Sequence, residues 1–348
     1  MGITGRTTVD CSSRIRADRF TTVTQQRRDQ FAYWKEWVAP LVDIERDEST
    51  EGGYFASARG HDLGSLHFAS SSMDPMQYRH TEDHVRASGI DHWCLAILKR
   101  GNEISRAGDR VLTSSAGSLQ VRSFAYPFVG RSDGTSSACL FLSRDNFPDI
   151  SDMLDAVHHI GVTGSLVEVL KEYIITLEDY IKTLRVSEIS LVVESLTLLL
   201  SAALKPAANN IGVAEMPIAA GRFNLARKYI QRYLASPDLG ANSICRTLGI
   251  SRRQLYYLFE RHGGVEKFIR QRRLAACCKA IADPMDHRLI NTIACSYGFT
   301  NQALFSRQFR AAYGFSPTEA RAAGLSGHRP EPSPPKTFSE WLLRTRGS

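Results

Sequence analysis

Hydrophobic positions follow three successive rhythms along this chain. Phe31, Trp34 and Trp37/Val38 recur at helical spacing within residues 25–38, and Pro40 closes the run. From about residue 54 to 147 apolar positions alternate in short runs, among them 63–68, 92–98, 110–112, 118–121 and 138–142. Gly/Asp/Asn/Ser clusters such as 100–102 and 132–134 separate them, the texture of a small antiparallel sandwich or barrel. The period then becomes helical again. Leu166, Leu170, Tyr173, Leu177, Tyr180 and Leu184 step 4-3-4-3-4, a heptad-like seam that reads either as packing on the sheet or as a dimer interface. Ile189, Val193, Leu196, Leu200 and Ala203 give the next helix its inner face.

Residues 205–217, with Pro206, two Asn, Gly212 and Pro217, read as a linker. Beyond them lies a purely helical region, opened by an amphipathic stretch over 219–235 with Phe223, Tyr229, Ile230 and Leu234 inward. The same short pattern then occurs twice, 49–50 residues apart. Residues 243–251 run into Leu255 and Phe259, and residues 292–300 into Phe305 and Phe309. Each is a short helix, a glycine turn, a polar cap and a second helix, the order of a helix-turn-helix. A long helix over 265–282, ended by Asp283-Pro284, joins the two units, and Ser316-Pro317 opens a closing helix. Pro330, Pro332, Pro334 and Pro335 make a stiff spacer before a short amphipathic segment at 338–343.

Charge sharpens this division. Residues 218–329 hold 18 Lys+Arg against 6 Asp+Glu, whereas residues 1–217 hold 22 against 28. The positive excess of the whole chain therefore sits on the helical region, as expected for a polyanion partner. A chain of 348 residues with 43% hydrophobic content suffices for two domains with real cores. Seven cysteines without a CxxC pair suit a reduced, cytoplasmic protein. Residues 1–20 carry no apolar core of a signal peptide, and residues 1–24 read as poorly ordered. The longest apolar stretch, 189–204, contains Glu194 and reads as a buried helix too short for a bilayer, so no membrane association is expected.

The two second helices carry the chemistry of base reading. Gly249 and Gly298 permit the turn, and Ser251 and Thr300 are the expected caps. The first exposes Arg252, Arg253, Tyr256 and Tyr257; the second exposes Asn301, Gln302, Ser306, Arg307 and Arg310. Arg pairs with guanine, Asn and Gln with adenine, and Tyr reaches phosphate or the thymine methyl. Two such helices could enter successive major grooves about 34 Å apart. Double-stranded DNA is the expected partner.

Residues 218–324 resemble the DNA-binding domain of the arabinose-regulator (AraC/XylS) family. The likeness is clearest in Ile293-Ala294, Gly298-Phe299, Phe305-Ser306-Arg307-Gln308-Phe309 and Gly314-Phe315-Ser316-Pro317, with Arg270, Arg273 and Leu274 in the connecting helix. By position the resemblance implies base contacts from Arg253, Tyr256 and Tyr257 in the first unit, and from Gln302, Ala303 and Arg307 in the second. Residues 25–205 are similar to the cupin-type sensor domain that some members carry. The resemblance implies an α+β chain: a cupin-like β-barrel with two helices over 25–204, a linker at 205–217, and an all-α double helix-turn-helix over 218–324. The Pro-rich tail, 325–348, departs from the family pattern. The family resemblance also implies a homodimer, a small-molecule effector and contact with RNA polymerase.

Within the expected barrel, His67, Tyr78, Arg79, His80, Trp93, Arg122 and Tyr126 are candidate effector-lining residues. His80, Glu82 and His84 raise the question of a metal, but the His-x-His with later Glu and His of an enzymatic cupin is missing, so no cofactor, metal or catalytic residue is expected. His158-His159 reads as exposed, and Cys277-Cys278 as packed helix interior rather than a redox pair. The expected function is that of a transcriptional regulator, an activator controlled by a metabolite. Two alternatives stay open: a metal-dependent enzyme localised by the basic domain, or a DNA-binding regulator controlled by a protein.

Overall fold

The computed structural model describes residues 15, 17–46, 52–88, 90–211, 218–260, 263–326 and 335–343. The described residues form eleven strands: β1 (Ala17–Thr21), β2 (Asp43–Arg46), β3 (Ala56–Asp62), β4 (Leu66–Met73), β5 (Met76–His80), β6 (Trp93–Arg100), β7 (Glu103–Ala107), β8 (Arg110–Ser114), β9 (Leu119–Ser123), β10 (Phe128–Ser132) and β11 (Thr135–Leu142). They pair antiparallel in two sheets, ordered β1-β3-β4-β11-β6-β9 and β2-β5-β10-β7-β8. α1 (Gln30–Val38) and α2 (Glu82–Ser88) decorate them.

The six-stranded sheet is buried on both faces, so β6 and β11 read as nearly continuous apolar runs. One face, with Trp93, Leu95, Ile97, Leu140 and Leu142, packs on α3 (Ser151–Ala156), α4 (Ser165–Tyr180) and α5 (Ile189–Ile211). The other, with Cys94, Cys139 and Phe141, meets Ile44, Tyr78 and Phe128 of the second sheet.

Several expectations need correction. Residues 17–24, expected to be loose, form β1, paired with β3, and a short 3-10 turn, and Phe20 stacks on Tyr33 and Trp37. The heptad-like seam divides: Leu170 and Leu177 lie in the chain's own core, Tyr173 and Leu184 pack at its edge, and only Leu166 and Tyr180 remain exposed. The linker begins later than expected because α5 continues to Ile211, with Pro206 inside it; residues 212–217 lie outside the described residues. The apolar helix is also longer than read: 24 residues from Val186 to Asn209 are long and apolar enough to cross a membrane by length and composition. Leu196 and Leu200 of α5 are fully buried on the sheet side, while Leu191 and Leu198 are exposed. His158 and His159 are buried, not exposed.

The carboxyl-terminal domain comprises α6 (Ile218–Arg232), α7 (Ala241–Leu248), α8 (Arg252–Phe259), α9 (Val265–Ala282), α10 (Ile290–Ser296), α11 (Gln302–Tyr313) and α12 (Pro317–Ser326). It has two cores, and α9 serves both. Val265, Phe268 and Ile269 join the first unit with Leu255 and Phe259; Leu274, Cys277, Cys278 and Ile281 join the second with Phe305 and Phe309. Burial pushes the Cys277 thiol up to about 12, with Cys278 adding to the rise, as befits an inert interior cysteine. A last short helix, α13 (Phe338–Leu343), packs back on the amino-terminal domain.

Candidate nucleic-acid interface

Each unit builds a presented helix from local rules. Gly249 takes φ +63° and Gly298 φ +82°, the left-handed backbone that lets the second helix leave steeply. Ser251 caps α8: its Oγ accepts from the Gln254 amide at 3.2 Å while the Ser251 amide donates to Gln254 Oε1 at 2.9 Å. In the second unit the cap is Asn301, whose Oδ1 accepts from the Leu304 amide at 2.9 Å. This corrects the assignment to Thr300, which is exposed one residue too early. The cap occupies one lone pair of Asn301 Oδ1 and leaves its NH2 group uncommitted among the described residues.

Leu255, Phe259, Phe305 and Phe309 are fully buried and hold the two helices to their cores. The opposite faces stand free. Tyr256 is 49% and Tyr257 70% exposed, and with Arg253 they line a shallow surface depression. Gln302, Ala303, Arg307 and Arg310 are exposed on α11, and Ser306 is half-buried. Arg253, Gln302 and Arg307 have no side-chain partner among the described residues, so each can reach a base edge or phosphate without breaking a bond. Arg252 differs: Nε and Nη2 both donate to Asn242 Oδ1, at 3.0 and 2.6 Å, which aligns it with α7.

Two arginines set the frame behind these helices. Arg273 on α9 donates to the Leu234 carbonyl at 3.1 Å and the Ser236 carbonyl at 3.0 Å. Arg321 on α12 donates to the Asp286 and Arg288 carbonyls at 2.8 and 3.0 Å. A third, Arg272, faces the other way. It crosses to the amino-terminal domain and forms ion pairs with Asp145 and, at 3.5 Å, Asp91. Arg227 donates to Ser151 Oγ, and Lys228 pairs with Asp152 at 2.5 Å. Burial, with the nearby Arg144 charge, brings Arg227 down to about 10. A cleft of about 240 Å³ lies along this contact, bordered by Arg86, Asp145, Lys267 and Arg272.

The seven candidate effector residues do not share one place. Tyr78 and Arg122 meet between the sheets around Glu103, which sequence reading missed. Tyr78 donates its hydroxyl to Glu103, Arg122 Nη2 pairs with Glu103 at 2.6 Å, and Gln120 donates to Glu103 Oε2 at 3.0 Å. Burial opposes the Glu103 charge, but these three partners together hold its carboxyl below the usual range. Burial raises the Tyr78 phenol. Trp93 lies on the other side of the sheet, under the Arg144 guanidinium at 4.1 Å, donating to Asp155 at 2.8 Å. Arg79 is on the surface near Glu45. His80 is a packing residue with both ring nitrogens on carbonyl oxygens, of Leu41 at 2.6 Å and Phe124 at 3.0 Å. Tyr126 lies half-buried beside His158. His67 meets Trp341 of the tail. No group of three metal-ligating side chains occurs among the described residues.

Arg144, Asp155, Asp91 and Arg272 also escaped the sequence reading. Their signal was only that of charged residues next to apolar runs, which is shared by most solvated positions.

Known proteins resemble both parts unequally. A family described as a helix-turn-helix domain matches residues 244–323. The XylDLEGF operon transcriptional activator of Pseudomonas putida is 37% identical over 73 residues, covering 20% of this chain and 23% of that protein. A second activator of that name and organism matches equally. The chain thus spans about a quarter of the length of these curated relatives. The crystal structure of the AraC-like transcriptional activator CuxR superposes with a TM-score of 0.58 at 29% identity, over 74% of this chain and 94% of that one. The superposition includes the β-rich part as well as the helices. A β-rich amino-terminal domain followed by a carboxyl-terminal region that matches the helix-turn-helix family is thus the two-part architecture this chain shares with the AraC-like activator CuxR.

Proposed function

We propose that this chain is a sequence-specific transcriptional regulator, acting as an activator, whose amino-terminal domain binds a small-molecule effector. One observation carries the reading. Two helix-turn-helix units share a single spine helix, the first presenting a cationic and aromatic face and the second a cationic and amide face, in the region that holds the positive excess. The names of CuxR and the XylDLEGF activators support activation of transcription. Base reading falls to Arg253, Tyr256 and Tyr257 on α8 and to Gln302, Ala303 and Arg307 on α11. Ser251, Arg252, Ser306 and Arg310 position the helices or meet phosphate.

The working form is a cytoplasmic homodimer that contacts RNA polymerase. Its interface is the exposed apolar face of α4 and α5, including Leu166, Tyr180, Leu191 and Leu198, rather than the whole heptad seam. Acidic side chains of the sensor, Asp91, Asp145 and Asp152, hold the basic reader, so an effector acts by changing that contact.

Mobility shifts and footprinting on DNA upstream of the neighbouring genes test the reading. Two protected stretches one helical turn apart per protomer, with affinity falling steeply with salt, are expected. Uniform, weak protection of any duplex would refute it.

A further inference from the structure

Residues 335–343 return to the amino-terminal domain and enter it. Trp341 and Leu342 of α13 are 3% and 0% exposed and belong to the core between the two sheets. The Trp341 ring stacks on His67 with centroids 4.4 Å apart and meets Phe141 edge-on at 5.9 Å. It lies over Gly60 of β3, where a Cβ would overlap the six-membered ring. His67 Nε2 donates to the Trp341 carbonyl at 2.7 Å. A glycine floor, an imidazole face and a phenyl edge together form a slot for a flat bicyclic ring.

The occupant is bound by shape more than by polar contacts. Trp341 Nε1 is buried without a hydrogen-bond partner among the described residues, so its desolvation is uncompensated. α13 has six residues, too few to persist as a free helix, so it forms only while docked. Burial of a few apolar side chains is opposed by the ordering of residues 336–343, and the balance is small.

We propose that residues 336–343 are a detachable intrachain occupant of this slot, and that a small planar bicyclic aromatic takes it in their place. This rests on the reading of the amino-terminal domain as a sensor, and adds the class of ligand and what it displaces. The occupant follows α12, the last helix of the second helix-turn-helix unit, in the chain. Filling the slot with ligand therefore undoes a non-covalent docking contact through which the chain beyond α12 ties the reader back to the sensor.

Indole, added to the full-length protein, is the probe. Calorimetry is expected to show indole binding Trp341→Ala at least about tenfold more tightly than wild type, where it must first displace the segment. Gly60→Ala both expels the segment and blocks the slot, so it binds no indole. In the wild type, saturating indole should speed tryptic cleavage after Lys336, a readout that survives if Trp341→Ala does not fold. Equal indole affinity in wild type and Trp341→Ala, or an unchanged cleavage rate, overturns the proposal. Mobility shifts on the same samples keep the two claims apart. Intact DNA binding without indole binding sinks only the slot, whereas indole binding without DNA binding sinks only the regulator.

Discussion

The Arg273 guanidinium lies against Gly298: a Cβ on that glycine would stand 2.7 Å from Nη1. Arg273 sits where α9 passes from the first core to the second, and its other contacts are the carbonyls of Leu234 and Ser236. One side chain thus joins the connection between α6 and α7, just ahead of unit one, to the turn of unit two. Gly249, at the equivalent turn, has open space where its Cβ would be. Gly298→Ala is therefore expected to cost about 2–3 kcal/mol, from left-handed strain plus displacement of Arg273, against about 1 kcal/mol for Gly249→Ala. Urea unfolding of both variants checks the order.

Arg307 and Arg252 are both exposed arginines on presented helices, but only Arg252 is already bonded within the domain. Arg307→Ala should weaken the specific site by about 1–3 kcal/mol and relax one base position. Arg252→Ala should weaken all sequences more evenly. Binding curves on the footprinted site and on single-base variants distinguish the two.

The contact between domains hinges on Arg272 with Asp91 and Asp145, all largely buried. Removing one partner strands the other, so Arg272→Ala and Asp145→Ala should each loosen the docked arrangement and together do little more. A double-mutant cycle, read by denaturation, is expected to give a coupling of about 1–3 kcal/mol.

Burial, reinforced by neighbouring positive charge, holds His158 well below its ordinary value and brings His159 down to about 3. The Ser123 amide donates to His158 Nδ1 at 3.1 Å, which requires that nitrogen unprotonated. Folded histidines thus stay neutral while unfolded ones take protons near 6.5, so stability is full above that pH and falls as acid is added. For His159 alone the loss by pH 5 is about 2 kcal/mol. Chemical denaturation at pH 7 and pH 5 measures it, and His159→Gln should flatten the difference.

Leu191 and Leu198 lie seven residues apart on α5 and are 63% and 68% exposed. Leu198→Glu should convert the proposed dimer to monomer without lowering the unfolding midpoint of the isolated subunit. Sedimentation at several concentrations, with circular dichroism as control, tests both halves.

Chemistry that fits within one or two helical turns could be read from the chain alone. A helix-turn-helix needs its glycine, its cap and its inward aromatics within some fifteen residues, so Gly249, Ser251, Leu255 and Phe259 announce a unit by spacing alone. The same local rule fails by one residue at Thr300, because two adjacent polar residues can each cap and only the path of the backbone chooses Asn301. In the amino-terminal domain, alternation located most strands but could not say which faces meet, since a strand buried on both sides loses its period.

The sequence by itself determined the two-part plan, the repeated reader and the side chains it exposes, because these follow from local backbone geometry and charge. Tertiary structure alone decided that Leu170 and Leu177 belong to the chain's own core and that His158 and His159 are buried. It also decided that Arg272 reaches Asp91 and Asp145, and that Trp341 lies on His67, 274 residues away. Contacts of that kind depend on how distant segments close on one another, and loop closure leaves no periodic mark on the residues it joins.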